Sequence, residues 1–192
     1  GTTGQVMALA LQADRQILIA GSFTTLGGSG GNGRSMLARV DATGAVDGTF
    51  TPGVPDVVRC VALAHDGRIL IGGSFLTVGG ESHPRVARLL SSGIVDSGFV
   101  AQVDDGQVNC ISPMPFLSAV LVGGTFTSAG GEAHVNLAQF QMNGFIRSAF
   151  VPGADGANGP VHTISVQADE GIVIGGAFTQ LDPVFTRQDR KS

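Results

Sequence analysis

The sequence predicts an all-β protein, a β-propeller built from four-stranded blades of about 50 residues each. The motif Gly-[Ser/Thr/Ala]-Phe occurs four times, strand-like alternation of residue types precedes it, and no segment has a sustained helical period. Antiparallel strands that recur at a fixed period are typical of propeller blades. The phenylalanines of the motif are Phe23, Phe75, Phe126 and Phe178, which are 52, 51 and 52 residues apart.

The first half of each unit is predicted to be a hairpin. In the first unit the segment "VMALALQ" alternates between two sides, a turn follows at Asp14-Arg15, and an apolar triplet completes the hairpin. The second unit has Asp66-Gly67 at the turn, which is a strong hairpin signal. Because the triplets are uninterrupted and rich in β-branched residues, they indicate a strand covered on both faces. The triplets lie at residues 17–19, 69–71, 120–122 and 172–174.

The second half of each unit is predicted to be another hairpin, which begins with a Leu/Val-Ala-Arg/Gln segment. In the first unit Arg39 lies across from Asp47 when the turn is centred at Thr43. The second unit repeats this arrangement with Arg88 and Asp96. In the third unit both positions change together, to Gln139 and Arg147, as expected of directly opposed residues. The sequence therefore predicts Arg39–Asp47 and Arg88–Asp96 contacts.

The repeats are predicted to form a single domain over residues 1–192, with about four units of which the last is incomplete. The first strand of each unit has one face of small residues, such as Ala8 and Ala10, which suits the crowded innermost strand of a wedge-shaped blade. A stacked solenoid is the competing architecture. Whether four blades close a ring or belong to a larger one stays open. The units lie at about 6–57, 58–107, 108–160 and 161–192.

An incomplete unit leaves strand edges unpaired, and such edges tend to pair with another chain. We therefore expect homo-oligomerisation through the edges of the incomplete blade. Charge and composition argue against two other classes of partner, nucleic acid and membranes. Net charge is −4 without a basic stripe, which argues against nucleic acid, and no apolar run approaches the length of a membrane span.

Cys60 and Cys110 share one repeat position and are expected to be small buried side chains, without a disulfide.

One repeat position is occupied by four chemically different residues, whereas a position that serves only the fold should carry similar residues in every unit. In a ring these residues would converge near one mouth of the central channel, so they are candidate ligand-facing residues. The alternative is that the position varies because it is exposed to solvent. The four residues are Met7, Arg59, Asn109 and His162.

Other polar groups are weaker candidates for chemistry. His83 and His134 each follow a glutamate by two residues, but a metal site needs three or four ligands, so a solvated loop is expected. Residues 28–33 match a glycine-rich nucleotide motif by spacing, and residues 27–31, around Ser29, match a nucleophile motif. No helix follows them, which indicates an extended loop. We therefore expect no catalytic residue, no metal and no cofactor.

The assembled motif resembles the delta-60 repeat of bacterial proteins, with residues 58–75 and 85–99 as its best examples. The resemblance implies a propeller-like fold that occurs in arrays within secreted or surface proteins, and it brings no catalytic residues to transfer. The expected function is a non-catalytic interaction or adhesion scaffold, extracellular or on the cell surface, with an unknown protein or glycan partner. The alternatives are a hydrolase or lyase acting at the channel mouth, or a glycan-binding propeller, which the absence of Trp and Tyr disfavours.

Overall fold

The fold is that of an all-β chain, seen in a computed structural model that describes residues 2–27, 33–148, 150, 156–169 and 171–181. Residues 28–32 of the expected glycine-rich loop and the end of the incomplete unit, residues 182–192, lie outside the described residues. Within the described ranges the chain forms strands, turns and bends, and no helix there is long and apolar enough to cross a membrane.

Seventeen strands are formed by the described residues. In chain order they are β1 (Thr2–Thr3), β2 (Val6–Leu11), β3 (Ile17–Gly21), β4 (Thr25–Leu26), β5 (Leu37–Val40), β6 (Val58–Leu63), β7 (Ile69–Gly73), β8 (Thr77–Val78), β9 (Glu81–Ser82), β10 (Val86–Leu89), β11 (Gln107–Met114), β12 (Ala119–Thr125), β13 (Ser128–Ala129), β14 (Glu132–Ala133), β15 (Leu137–Gln141), β16 (Val161–Val166) and β17 (Ile172–Gly176).

The longer strands form four antiparallel sheets, which we number blade 1 to blade 4. Blade 1 has the order β2-β3-β5, blade 2 β6-β7-β10, blade 3 β11-β12-β15, and blade 4 β16-β17. The predicted fourth strand of a blade is reduced to one bridging residue, as in the Val40–Val46 bridge of blade 1. Its shortness has a local cause, because Asp41 Oδ1 accepts hydrogen bonds from the N–H groups of Thr43 and Ala45 and so holds a tight turn.

The first strand of each blade packs against the first strand of the next blade. These inner strands are β2, β6, β11 and β16, and they contact one another in chain order. No comparable contact joins β2 to β16. The four blades therefore form an arc and do not close a ring among themselves.

Each contact between neighbouring blades buries a two-sided apolar layer. One blade contributes its trailing face, which looks toward the next blade and includes Ala8, Ala10 and Leu18 in blade 1. The next blade contributes its leading face, which includes Val61 and Ile71 in blade 2. The same alternation continues between the later blades, with Leu70 packed against Val120 and Val122. Small inner-strand residues thus face large ones, as the sequence pattern predicts.

The repeated Gly-Gly pair is required by close approach on two sides. A Cβ on Gly73 would lie 2.0 Å from the carbonyl oxygen of Val57, so only glycine fits there. A Cβ on Gly72 would lie 2.4 Å from Cγ1 of Val108, which belongs to the next blade. The first glycine is therefore a notch that receives a valine of the following blade. The same contact recurs where Val161 of blade 4 approaches Gly123 of blade 3.

Both cysteines are buried free thiols, as predicted. They pair across the sheet with the notch glycines, Cys60 with Gly72 and Cys110 with Gly123. Burial raises the pKa of the Cys110 thiol to about 12 and raises that of Cys60 well above its usual value. Both therefore act as small apolar residues of the blade interfaces.

Candidate functional site

The four candidate ligand-facing residues all lie at β-bulges. In blade 2, Val58 pairs with Gly73 and Cys60 with Gly72, which leaves Arg59 as the extra residue of the inner strand. The same register shift occurs in the inner strands of the other three blades. A bulge turns a side chain away from the regular alternation of the strand, and bulges are common beside functional sites. We call Met7, Arg59, Asn109 and His162 the bulge row.

The bulge row lies along the strands that pack against one another in the arc. Asn109 reaches the next blade directly, because its Nδ2 donates a hydrogen bond to the carbonyl oxygen of Val161 at 3.0 Å. Val161 immediately precedes His162, so the bulges of blades 3 and 4 are adjacent. On its own blade, Gln107 Nε2 lies 3.4 Å from Asn109 Oδ1. No hydrogen bond or ion pair between two members of the row is found among the described residues.

The members of the row differ in exposure and in partners. Met7 and His162 are exposed, whereas Arg59 and Asn109 are half-buried. The Nε of Arg59 is buried and has no hydrogen-bond partner within the described part of the chain. A buried N–H without an acceptor costs about 1–3 kcal/mol, and this cost makes Arg59 the member of the row most in need of a partner.

Sequence reasoning identified the row by its variety but missed the bulges that produce it. A signal for them was present in the sequence. Because the second glycine of each Gly-Gly pair faces a backbone carbonyl, it marks where the inner strand gains its extra residue. Three pairs end at Gly73, Gly124 and Gly176, and in blade 1 Gly21 follows Ala20 and faces a carbonyl in the same way.

The predicted cross-strand pairs are present and belong to the framework. Arg39 donates to Oδ2 of Asp47 from Nε at 2.9 Å and from Nη2 at 2.6 Å. Arg88 Nε donates to Asp96 Oδ2 at 2.9 Å. Both arginines are buried, Arg39 over the ring of Phe50 and Arg88 over the ring of Phe99. The prediction of both pairs is confirmed.

The carboxylates between blades 2 and 3 are also held by backbone contacts. Asp105 accepts from the N–H groups of Thr127 and Ser128, and from the hydroxyl of Thr127 at 2.6 Å. Asp104 accepts from the Ser128 hydroxyl and the Gly131 N–H. The Thr127 hydroxyl is the main cause that lowers the pKa of Asp105. These two aspartates tie the inter-blade linker to blade 3.

The expectation that His83 and His134 lie in solvated loops is wrong. Both side chains are buried, and each lies beside a more exposed glutamate, with His134 Nε2 3.8 Å from Glu132 Oε2. The loop folds back because the His134 N–H donates to the Thr127 carbonyl, as that of His83 does to Leu76. Burial lowers the pKa of His134. No cluster of three possible metal ligands occurs among the described residues.

Of three comparisons with known proteins, two found a match. A family described as "Domain of unknown function (DUF5122) beta-propeller" matches residues 12–50, 65–99 and 120–146, which together make up more than half of the chain. None of the curated proteins matches the chain.

Among solved structures, the chain is similar to the extracellular domain of a proposed one-component system from B. thetaiotaomicron, with a TM-score of 0.53 and 13% sequence identity. The match covers 89% of this chain and 20% of that chain, so this chain spans about a fifth of its length. At this identity the similarity shows the fold alone. The fold, the repeated Gly-Gly bulges and the family match agree: the chain belongs to the DUF5122 β-propeller family, the delta-60 repeat family that its sequence resembles.

Proposed function

We propose that the chain is a non-catalytic interaction module, through which a larger bacterial protein binds or adheres to a protein or a surface glycan. The observation that carries this proposal is the bulge row. Four blades repeat the same framework, yet the residue turned out of the inner strand is different in each. A framework that holds one varied row of side chains on adjacent strands is suited to recognition.

The use of the aspartates supports a non-catalytic role. An acid–base mechanism needs carboxylates or histidines that face a reacting group. Here Asp47 and Asp96 are paired with buried arginines, and Asp104 and Asp105 are bound to backbone N–H groups and hydroxyls. These side chains therefore serve the fold, and catalysis would have to use other groups.

The chemistry of the row favours a partner that offers oxygen acceptors. Arg59 provides a guanidinium whose Nε lacks a hydrogen-bond partner in the described chain. His162, in blade 4 at the other end of the row from Met7, is exposed to solvent. A carboxylate or another oxygen-rich group that contacts Arg59 would recover the cost of the unpaired N–H. An extracellular or cell-surface location is part of the proposal, supported by the fold similarity to an extracellular domain.

The test is binding of the labelled full chain to a glycan array and to intact bacterial cells. Arg59→Ala and His162→Ala should each weaken any binding at least several-fold. His65→Ala is the matched control, since His65 is exposed in a turn outside the row. Binding that is equal in all variants would refute the role of the row.

The enzymatic alternative is tested separately with the same proteins. Wild-type chain is incubated with a polysaccharide panel, and reducing ends and unsaturated products are measured. Turnover above background that is lost in His162→Ala would overturn the non-catalytic proposal.

A further inference from the structure

Among the described residues, nothing covers two faces at the ends of the arc, whereas every equivalent face inside the arc is covered. The first is the leading face of blade 1, and the second is the trailing face of blade 4. Inside the arc, each leading face is covered by the trailing face of the blade before it. The same repeat position can therefore be compared with and without its cover.

On the leading face of blade 1 the uncovered residues are large and apolar. Val6 is 43% exposed, whereas the valines at the same position of blades 2, 3 and 4 are buried with 0% exposure. Leu9 and Leu11, further along the same inner strand, are 64% and 66% exposed. The counterpart of Leu9 in blade 3, Ile111, is buried. The three exposed side chains form one continuous apolar patch on β2.

The trailing face of blade 4 shows the complementary deficit. Val173 is 53% exposed, whereas the leucines at this position in the other blades, Leu18, Leu70 and Leu121, have 0% exposure. The inner-strand residues beside it, Thr163 and Ser165, are small and exposed. This face thus has the small inner strand and the central apolar residue that cover a leading face elsewhere in the arc.

The internal contacts show how the two faces would fit. Val108 of blade 3 lies against the notch at Gly72 of blade 2, and Val161 of blade 4 lies against the notch at Gly123 of blade 3. Val58 of blade 2 shares an apolar cluster with Ala20, which stands at the notch position of blade 1. Val6 is the one valine of this series that has no preceding blade in the described arc to pack against. Gly175 is the notch that has no valine: a Cβ there would meet Thr163 of its own strand pair and nothing from a following blade.

We infer that two copies of this chain associate head to tail, with the leading face of blade 1 of each copy packed on the trailing face of blade 4 of the other. Val6 of one copy then lies against Gly175 of the second copy, and Leu9 and Leu11 cover Thr163, Ser165 and Val173. The inference does not depend on the proposed binding function.

Two copies are the number that closes the arc. A contact between different faces continues until rotation brings the first copy back to the last. Two copies of the described four-blade arc supply eight blades, within the usual range of four to eight, and three copies would exceed it. Each copy uses each of its two described end faces once. Pairing through the strand edges of the incomplete blade, which the sequence predicts, is a different contact and stays a separate prediction.

The ring would also bring two bulge rows around one axis. Met7 of each copy would then follow His162 of the other, in the same order in which Asn109 and His162 follow each other within the arc. A partner that binds the row would contact residues of both copies.

The experiment measures the mass of the full chain in solution by sedimentation velocity over a range of concentrations. Leu9→Glu places a charge in the apolar leading face, and Val173→Glu places one in the trailing face. Both side chains are exposed in the monomer, so neither substitution should disturb its fold. Each variant alone should be a monomer. An equimolar mixture should form a one-to-one complex, because each variant retains the face that the other lacks. Ile94→Glu, on an exposed outer turn, is the control and should remain a dimer.

Several outcomes would overturn the inference. A monomeric wild-type chain at every concentration would do so, and so would larger open polymers. A Val173→Glu dimer would show that two leading faces pair with each other instead. Circular dichroism checks that each variant is folded, and Leu11→Glu replaces Leu9→Glu if the latter is not.

Discussion

Arg39 and Asp47 lie eight residues apart on opposite sides of an outer turn, and two nitrogens of the arginine donate to the same carboxylate oxygen. The third nitrogen, Nη1, donates to the carbonyl of Ser91 in the next blade at 2.6 Å. Arg88 repeats the arrangement with Asp96 and with the carbonyl of Met142. The pair is therefore a link between blades as well as between strands.

The first prediction concerns this link. Arg39→Gln should lower the free energy of unfolding by about 1–3 kcal/mol, because it removes charge-assisted hydrogen bonds from a buried site. Blade 3 carries Gln139 and Arg147 at the two positions, 3.5 Å apart between Oε1 and Nη1. The double variant Arg39→Gln/Asp47→Arg should therefore cost less than the sum of the single variants. Urea denaturation of the four proteins measures the coupling, expected at about 0.5–3 kcal/mol.

Strict additivity in this cycle would contradict the prediction. Asp66→Asn is the control for a charged pair at the surface. Asp66 contacts Arg68 at 3.0 Å with both side chains more than two-fifths exposed, so loss of this charge should change stability far less.

Internal repetition explains why this pair could be predicted from one sequence. Three copies of the outer hairpin served as an alignment, and the joint change to Gln139 and Arg147 indicated opposed positions. The length of the fourth strand could not be obtained in this way. All three turns contain a polar residue that bonds its own backbone, such as Asp41, and this local bonding competes with the sheet ladder.

The buried histidines escaped prediction for a different physical reason. Glu-x-His after two glycines has the composition of a solvated loop, and burial of the ring depends on a backbone hydrogen bond that closes the loop onto the residue just before its first short strand. His134 N–H meets the Thr127 carbonyl only once the loop has folded back. The bulge row lay between these cases, since its position was visible in the repeats but the register shift at each residue was not.

The second prediction tests the packing at the notch glycines. Gly72→Ala should destabilise the chain by about 1–3 kcal/mol, because the new Cβ would lie 2.7 Å from Cys60 Sγ as well as close to Val108. Blade 1 has the pair Ala8 and Ala20 at these two positions. Cys60→Ala in the Gly72→Ala background should therefore recover part of the loss. The thermal unfolding midpoint of the double variant should be higher than that of Gly72→Ala. A still lower midpoint would mean that contact with Val108, and not with Cys60, causes the destabilisation.

The third prediction concerns the hydrogen bonds by which Asp105 holds the linker before blade 3. In blade 4, Asn158 Oδ1 accepts from the N–H groups of Thr179 and Gln180, and Nδ2 donates to the Thr179 hydroxyl at 3.0 Å. This is the pattern that Asp105 makes with Thr127 and Ser128. Asp105→Asn should therefore change the free energy of unfolding little, whereas Asp105→Ala should cost about 1–3 kcal/mol through unpaired N–H groups. Equal losses in the two variants would refute the equivalence.

The fourth prediction is the effect of acid on Asp47. Hydrogen bonds from the Thr49 hydroxyl and N–H, together with Arg39, lower the pKa of Asp47 from 3.8 to about 2. Because the folded pKa lies below the unfolded one, the stabilisation is complete above about pH 4 and is lost as pH falls toward 2. Asp47→Asn should reduce the loss of stability in this window, as measured by urea midpoints at stepped pH. Thr49→Val should raise the folded pKa of Asp47 and so narrow the window from its acid end; an unchanged window would contradict the role of the hydroxyl.

The fifth prediction concerns His134, whose ring nitrogens are buried without a hydrogen-bond partner in the described chain. Burial lowers the pKa of His134 below its ordinary 6.5, while the Glu132 carboxylate partly opposes this shift. Above pH 6.5 the ring is neutral in both states. As pH falls below 6.5, the unfolded chain takes up a proton that the folded chain resists, so stability falls until the folded pKa is reached.

Two variants of this site make the effect measurable. His134→Leu keeps an apolar side chain in the buried position, so it should hold stability at pH 7 and reduce the loss between pH 7 and pH 5. Glu132→Gln removes the charge that favours the protonated ring, which lowers the folded pKa of His134 further and should deepen the loss. Thermal midpoints at pH 7, 6 and 5 compare the three proteins. A His134→Leu chain as acid-sensitive as wild type would assign the sensitivity to other groups.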